Sequence, residues 1–135
     1  MKKSYPIHIR FNDIDGMGHV NNAVYLSYFE QARMDHFGEL VGKNWNWETE
    51  GVLLARNEVD YKVPILLHDA PRIEVWISHM GTKSMEVSYR IVKEVNGMEI
   101  ECTTGKSVVV SFNYKTQKSI PVPEEWREKF KGELI

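Results

Sequence analysis

The sequence holds a single cysteine, Cys102, so no disulfide can form within the chain. One thiol in a chain of this size fits a reducing compartment rather than a disulfide scaffold. No uninterrupted apolar run approaches the ~18 residues that a membrane-spanning helix requires. The opening "MKKSYPIHIRF" lacks the continuous apolar stretch of a secretory signal peptide. Nor does one charge dominate: 17 Lys and Arg stand against 19 Asp and Glu, a formal net charge of −2. That balance offers no electrostatic pull toward nucleic acid or an anionic membrane. Internal repeats, linkers and low-complexity segments are also missing. What remains is one domain of 135 residues, 42% hydrophobic and 27% charged, long enough to bury one core. A cytoplasmic protein is the expectation.

The pattern of apolar residues predicts the elements. Tyr5 to Phe11 alternates, with Ile7, Ile9 and Phe11 against His8 and Arg10, as in a first strand. Asn12 to Asn22 reads as a loop containing Gly16 and Gly18. A helix is expected from about Ala23 to Leu40, free of proline and with its only glycine, Gly38, near the end. Its stripe of Leu26, Phe29, Ala32, His36 or Phe37, and Leu40, broadened by Val24, Tyr25 and Tyr28, predicts a helix covered on several sides. Val52 to Tyr61, Arg72 to Met80, Lys83 to Val95 and Met98 to Tyr114 read as strands. In the last, Ile100, Cys102, Thr104, Val108, Val110 and Phe112 share one parity. Asn96-Gly97 predicts a type I′ hairpin joining the last two. A short helix, Glu124 to Lys131, follows "PVP". The order predicts an α+β fold, an antiparallel sheet of about five strands curled around one long central helix.

Chemistry concentrates in "RFNDIDGMGHVNNAVYLSYFEQAR", where acids, a histidine and asparagines stand directly before the apolar helix. Either Asn21 or Asn22 could be the N-cap. The first N–H groups of a helix lack intrahelical partners, and its dipole places partial positive charge there. Such an end stabilises an oxyanion. Asp13 and Asp15 lie just upstream, close enough for the loop to fold one of them over the same spot. A carboxylate facing an oxyanion site is the least equipment for acyl transfer to water. Helix capping alone explains the same residues, and the pattern does not choose between the two readings. Asp13 reads as a brace or a second acid, His19 as a loop residue or a neighbour tuning Asp15, and Glu30 with Arg33 as an i, i+3 ion pair. Asp13-x-Asp15 with Gly18 imitates the start of a calcium loop, but Val24 falls where a bidentate glutamate belongs. The five histidines show no metal-ligand spacing. Cys102, on a strand, reads as a packed core thiol rather than a nucleophile.

The stretch "FNDIDGMGHVNNAVYLSYFEQAR" closely resembles the hotdog-fold acyl-CoA thioesterases of the 4-hydroxybenzoyl-CoA thioesterase type, with Asp-x-Asp, a glycine, and a loop into a helix carrying Tyr and Glu-x-x-Arg. "HVNN" with the following Tyr is also similar to the plant acyl-acyl-carrier-protein thioesterases. "EVDYKVPILLHDAPRIEVWI", "TKSMEVSYRI" and "TTGKSVVVSFNYKTQKSIPVPEE" extend the likeness along the later strands. The resemblance implies a curled sheet around a helix, a homodimer or tetramer, and an active site at the subunit interface. It implies Asp15 as the catalytic acid and the backbone N–H near Asn22 as the oxyanion donor. Some relatives carry histidine where Asn22 stands, a departure that a backbone role survives. Around the site, His19 and Tyr25 would line the substrate; the pair Lys83-Ser84, and Lys62 or Lys106, read either as contacts for CoA phosphates or as ordinary exposed residues. The substrate would be acyl-CoA, or alternatively acyl-carrier protein, with no metal or cofactor. A hotdog hydratase or dehydratase using Asp15 and His19, and a non-catalytic acyl-thioester-binding protein, are the rival functions.

Overall fold

The computed structural model describes residues 2–134. Its strands are β1 (Lys3–Pro6), β2 (Gly51–Tyr61), β3 (Arg72–Met80), β4 (Ser84–Val95), β5 (Met98–Asn113) and β6 (Lys118–Ser119). They form one antiparallel sheet in the order β1-β3-β4-β5-β2, with β6 paired to β5. The sheet therefore has six strands, not about five; the extra one is the two-residue β6. Asn96 and Gly97 both take positive φ, 52° and 78°, between the paired ends Val95 and Met98. This matches the type I′ hairpin that their sequence predicts.

The first strand is shorter than its alternation suggested. After Pro6 the chain leaves β3, and Phe11–Asp13 forms a 3-10 turn instead of strand. Phe11 is consequently 81% exposed. Proline has no N–H to continue the ladder, and only Ile7 N–H still reaches back, to Pro71 O at 3.0 Å.

Helix α1 (Val24–Val41) spans 18 residues, about 27 Å. It is not wrapped on several sides in this chain. Tyr25, Tyr28, Phe29, Ala32, Arg33, His36 and Phe37 are buried at i, i+3 and i+4 spacing, while the opposite face is open. Leu26, expected in the stripe, is 38% exposed. The helix lies on one face of the sheet, and Gly42 at φ 77° ends it, its N–H bonding Gly38 O.

The face under α1 consists of Ile73, Val75 and Ile77 from β3 and Met85, Val87, Tyr89 and Ile91 from β4. From β5 it takes Thr103, Ser107, Val109 and Ser111, the parity opposite to the expected one. The reason is a bulge: Ile91 pairs with Thr103 and Val92 with Glu101, leaving Cys102 as the extra residue. Val108, Val110 and Phe112 are then only partly buried on the other face. Cys102 still packs in the core, where burial pushes its thiol pKa up. Helix α2 (Glu124–Phe130) closes the far end with Trp126, which meets Phe37, Trp45 and Trp47 at ring separations of 5.1, 5.5 and 5.6 Å.

Candidate active site

The loop before α1 folds on itself. Ile14 bridges to Val20, Asp15 N–H bonds His19 O at 2.9 Å, and Gly18, at φ 80°, bonds Asp15 O at 3.0 Å. Positive φ is what glycine supplies there without strain. The two acids face different tasks. Asp13 Oδ2 accepts from Arg10 N–H at 2.9 Å and from the Tyr28 hydroxyl at 2.8 Å, which ties the loop to α1. Burial, then the bond to Asp13, raises the Tyr28 pKa, so the phenol remains a donor. Asp15 Oδ1 accepts from Met17 N–H at 2.9 Å, a bond within its own turn.

Neither asparagine caps α1 through its side chain in the expected way. The N-cap position is Ala23, already at φ −70° and ψ −25°, with no side-chain cap. Asn21 instead spans a tight turn: its Oδ1 accepts from Ala23 N–H at 3.0 Å and its carbonyl from Val24 N–H at 2.9 Å. Asn21 N–H itself bonds Asp13 O at 2.8 Å. Of the four amides from Asn21 to Val24, three are thus engaged. Among the described residues, the Asn22 N–H meets no acceptor. It sits at the electropositive start of a helix, where a partnerless N–H suits a developing negative charge.

Beside it lies a pocket of about 210 Å³ whose walls include His19, Asn22, Tyr25, Tyr61, Lys62 and Pro64. The structure so brings three of the expected site residues, His19, Asn22 and Tyr25, into one cavity. Asp15 adjoins it through the His19 backbone, but its side chain is not part of the wall. Asp13, with Arg10 and Tyr28, faces a separate cleft of about 610 Å³ between β1 and the outer side of α1. The larger cleft lacks the free amide, so the smaller one carries the candidate chemistry.

Lys83 and Ser84 are not brought to this pocket within one chain. Ser84 starts β4 opposite Val110, whereas Tyr61 ends β2 opposite Thr103. About 23 Å of strand separates those positions. Lys62 lines the pocket but is paired with Glu101, and Lys106 lies 3.9 Å from Glu86. Arg33 and Glu30 form a loose pair at 3.9 Å, with Arg33 buried and Glu30 exposed. The Arg33 guanidinium is held instead by Tyr89 Oη at 2.9 Å and Ser107 Oγ at 3.3 Å. Among the described residues no three His, Cys, Asp or Glu side chains group as metal ligands would. Tyr61 is the residue that sequence reasoning missed: its hydroxyl donates to Asn22 O at 2.7 Å. Its only signal was a tyrosine ending a strand just before "KVP".

The antiparallel sheet carrying one helix across a face is a hotdog-type thioesterase fold, as its superposition on solved thioesterases shows. The chain belongs to the Thioesterase-like superfamily, whose family model matches residues 9–130. It is 29% identical over 126 residues to the long-chain acyl-CoA thioesterase FadM of Escherichia coli, covering 91% of this chain and 92% of that protein. It also resembles a thioesterase from Thermus thermophilus solved with coenzyme A and Zn, at 35% identity and a TM-score of 0.80. That match covers 96% of this chain and 91% of the other. A mutant 4-hydroxybenzoyl CoA thioesterase solved with 4-hydroxybenzoyl CoA superposes with a TM-score of 0.87 over 96% and 98% of the two chains. At 15% identity, that last likeness speaks to the fold alone.

Proposed function

We propose that the protein hydrolyses acyl-CoA thioesters to the free acid and CoA. The observation that carries this is the unengaged N–H of Asn22, a residue that lines the pocket, with the Asp15 loop folded beside it. The thioester carbonyl oxygen accepts from that amide, which lowers the energy of the tetrahedral oxyanion. Asp15 takes the proton of an attacking water, or attacks the carbonyl itself to give an anhydride that water then opens. Either way the C–S bond breaks, water oxygen ends in the acid, and the thiolate leaves to be protonated. His19 and Tyr25 flank the acyl thioester, and the reaction requires no metal or cofactor.

The assembly is a homodimer or a tetramer acting in the cytoplasm. Two features support association: β2 is a sheet edge bearing the exposed Leu53 and Leu54, and half of α1 is uncovered. Pairing of two β2 edges carries Lys83 and Ser84 of one chain toward the pocket of the other, where phosphates of CoA would lie. Sedimentation at micromolar concentration should give at least twice 15.7 kDa; a lone monomer speaks against that arrangement.

The direct test is incubation with a panel of acyl-CoA species while released thiol is trapped. Hydrolysis supports the proposal. Double-bond chemistry without thiol would indicate a hydratase, and tight binding without turnover a carrier. A parallel acyl-carrier-protein panel distinguishes the two thioester sources.

A further inference from the structure

We infer that Tyr61 is a positioning residue for this reaction, its hydroxyl fixing the Asn22 backbone so that the Asn22 N–H stays aimed into the pocket. The inference rests on the reading of that amide as the oxyanion donor.

Asn22 stands between two peptide planes. The first, which contains its own N–H, is held on its carbonyl side by Val24 N–H at 2.9 Å. The second is held on its N–H side by Asn21 Oδ1 at 3.0 Å and on its carbonyl side by Tyr61 Oη at 2.7 Å. The bonds to Asn21 are local to an exposed turn. Among the described residues, Tyr61 supplies the one restraint on these planes from another element, 39 residues away along the chain. Its own place is well fixed. It ends β2 opposite Thr103, and the next two amides, Lys62 and Val63, both bond Cys102 O, at 2.9 and 3.1 Å. Its ring meets Tyr25 edge-on, 4.9 Å between centroids at 86°.

Core packing does not explain the residue, which is 48% exposed. Nor is it free to donate to substrate while this bond stands. A phenol has one proton, and that proton is committed to Asn22 O. Its ordinary pKa of 10.0 already keeps the hydroxyl protonated, and desolvation raises it further. Tyr61 therefore acts through Asn22, which is how a donor can be preorganised before charge develops.

Tyr61→Phe removes the hydroxyl and keeps the ring against Tyr25. With a substrate found in the thiol-release panel, kcat should fall about 10- to 100-fold, less than deletion of a whole oxyanion donor. KM should change little and the melting temperature hardly at all. A second readout uses Asp15→Asn, which should hold acyl-CoA unreacted. The carbonyl stretching band of bound substrate should lie below that of free substrate, and adding Tyr61→Phe should move it back up. Wild-type kcat in Tyr61→Phe, a rise in KM alone, or an unmoved band overturns the inference. Full turnover by Asp15→Asn would instead sink the underlying mechanism. An inactive Asp15→Asn beside a fully active Tyr61→Phe removes only the role given to Tyr61.

Discussion

Replacing each loop acid by its amide separates the carboxylate proposed to be catalytic from the one that braces the loop. In Asp15→Asn the retained carbonyl oxygen can still accept from Met17 N–H, the bond recorded for Oδ1 at 2.9 Å. The turn loses a charge-assisted bond and keeps a neutral one, at a cost of about 1 kcal/mol or less. What disappears is the group proposed to take a proton or attack carbon. Turnover should drop by about 10²–10⁴, some 3–5 kcal/mol of barrier. Acyl-CoA binding should hold. In Asp13→Asn, both bonds of the native side chain fall on one oxygen, Oδ2, so a single amide oxygen can serve both Arg10 N–H and the Tyr28 hydroxyl. That variant should stay within a few-fold of wild-type turnover. Asp13→Ala strands the part-buried Tyr28 hydroxyl and should cost about 1–3 kcal/mol of stability. The assay is CoA thiol release, read beside thermal melts of every variant. A dead Asp13→Asn with a fully active Asp15→Asn would reverse the two roles. Normal turnover in both would end the mechanism.

Three further outcomes test the fold that holds the loop. Gly105→Ala should cost about 1–3 kcal/mol, because its Cβ would collide with the fully buried Phe29 ring and come within 2.7 Å of Glu58 O; an unchanged denaturant midpoint would refute this. Asp69→Asn weakens the 2.8 Å contact to the buried Lys93 ammonium, for about 1–3 kcal/mol at neutral pH. Burial raises the Asp69 pKa, but the bonds from Lys93 and Leu66 N–H hold it below its ordinary 3.8. A depressed carboxyl pKa stabilises above 3.8 and loses that contribution as pH falls through the folded value. The melting gap between wild type and variant should accordingly be level near neutrality and close only below 3.8, and a gap persisting in stronger acid would contradict it. Cys102→Ala should lose stability, since the thiol is fully buried, yet keep turnover within a few-fold; a folded, inactive variant would restore the thiol as nucleophile.

Local signals in the sequence carried far, and they failed where a distant partner decides. β3 falls at Arg72–Met80 and the hairpin at Asn96-Gly97 because both follow from neighbours in the chain. The face of β5 did not follow. Ile100, Cys102, Val108, Val110 and Phe112 share one parity, but the bulge at Cys102 and the polar needs of Arg33 put Ser107 and Val109 beneath the helix instead. Ser107 Oγ bonds Asn57 Oδ1 at 2.6 Å, and Tyr89 Oη donates to Ser107 at 2.8 Å, contacts spanning 50 and 18 residues. Gly105 adds a second reason, since only a bare backbone lets Phe29 stack on Tyr89 at 4.1 Å. For the candidate site, the loop and helix start were legible as one contiguous motif. Tyr61 and the separation of Lys83 and Ser84 from the pocket depend on strand register, which no local pattern encodes.

The start of α1 also breaks a rule that stability alone would favour. An alanine at an N-cap costs about 1 kcal/mol against serine, threonine or aspartate, and Ala23 occupies that position with no side-chain acceptor. A good cap is an oxygen already seated on the helix's first amides, and an acidic one would add negative charge where the proposed oxyanion forms. Asn21 satisfies Ala23 and Val24 from two residues before the cap, so the turn stays ordered without placing an acceptor on Asn22 N–H. Tyr61 then restrains that backbone from the sheet side. Local preference yielding at a single position, with compensation from a distant strand, is the pattern expected where function rather than stability selects the residue. On the proposed mechanism the polar loop precedes the apolar helix because one end of that helix must remain open to a reacting group, while seven side chains on its inner face hold the rest in place.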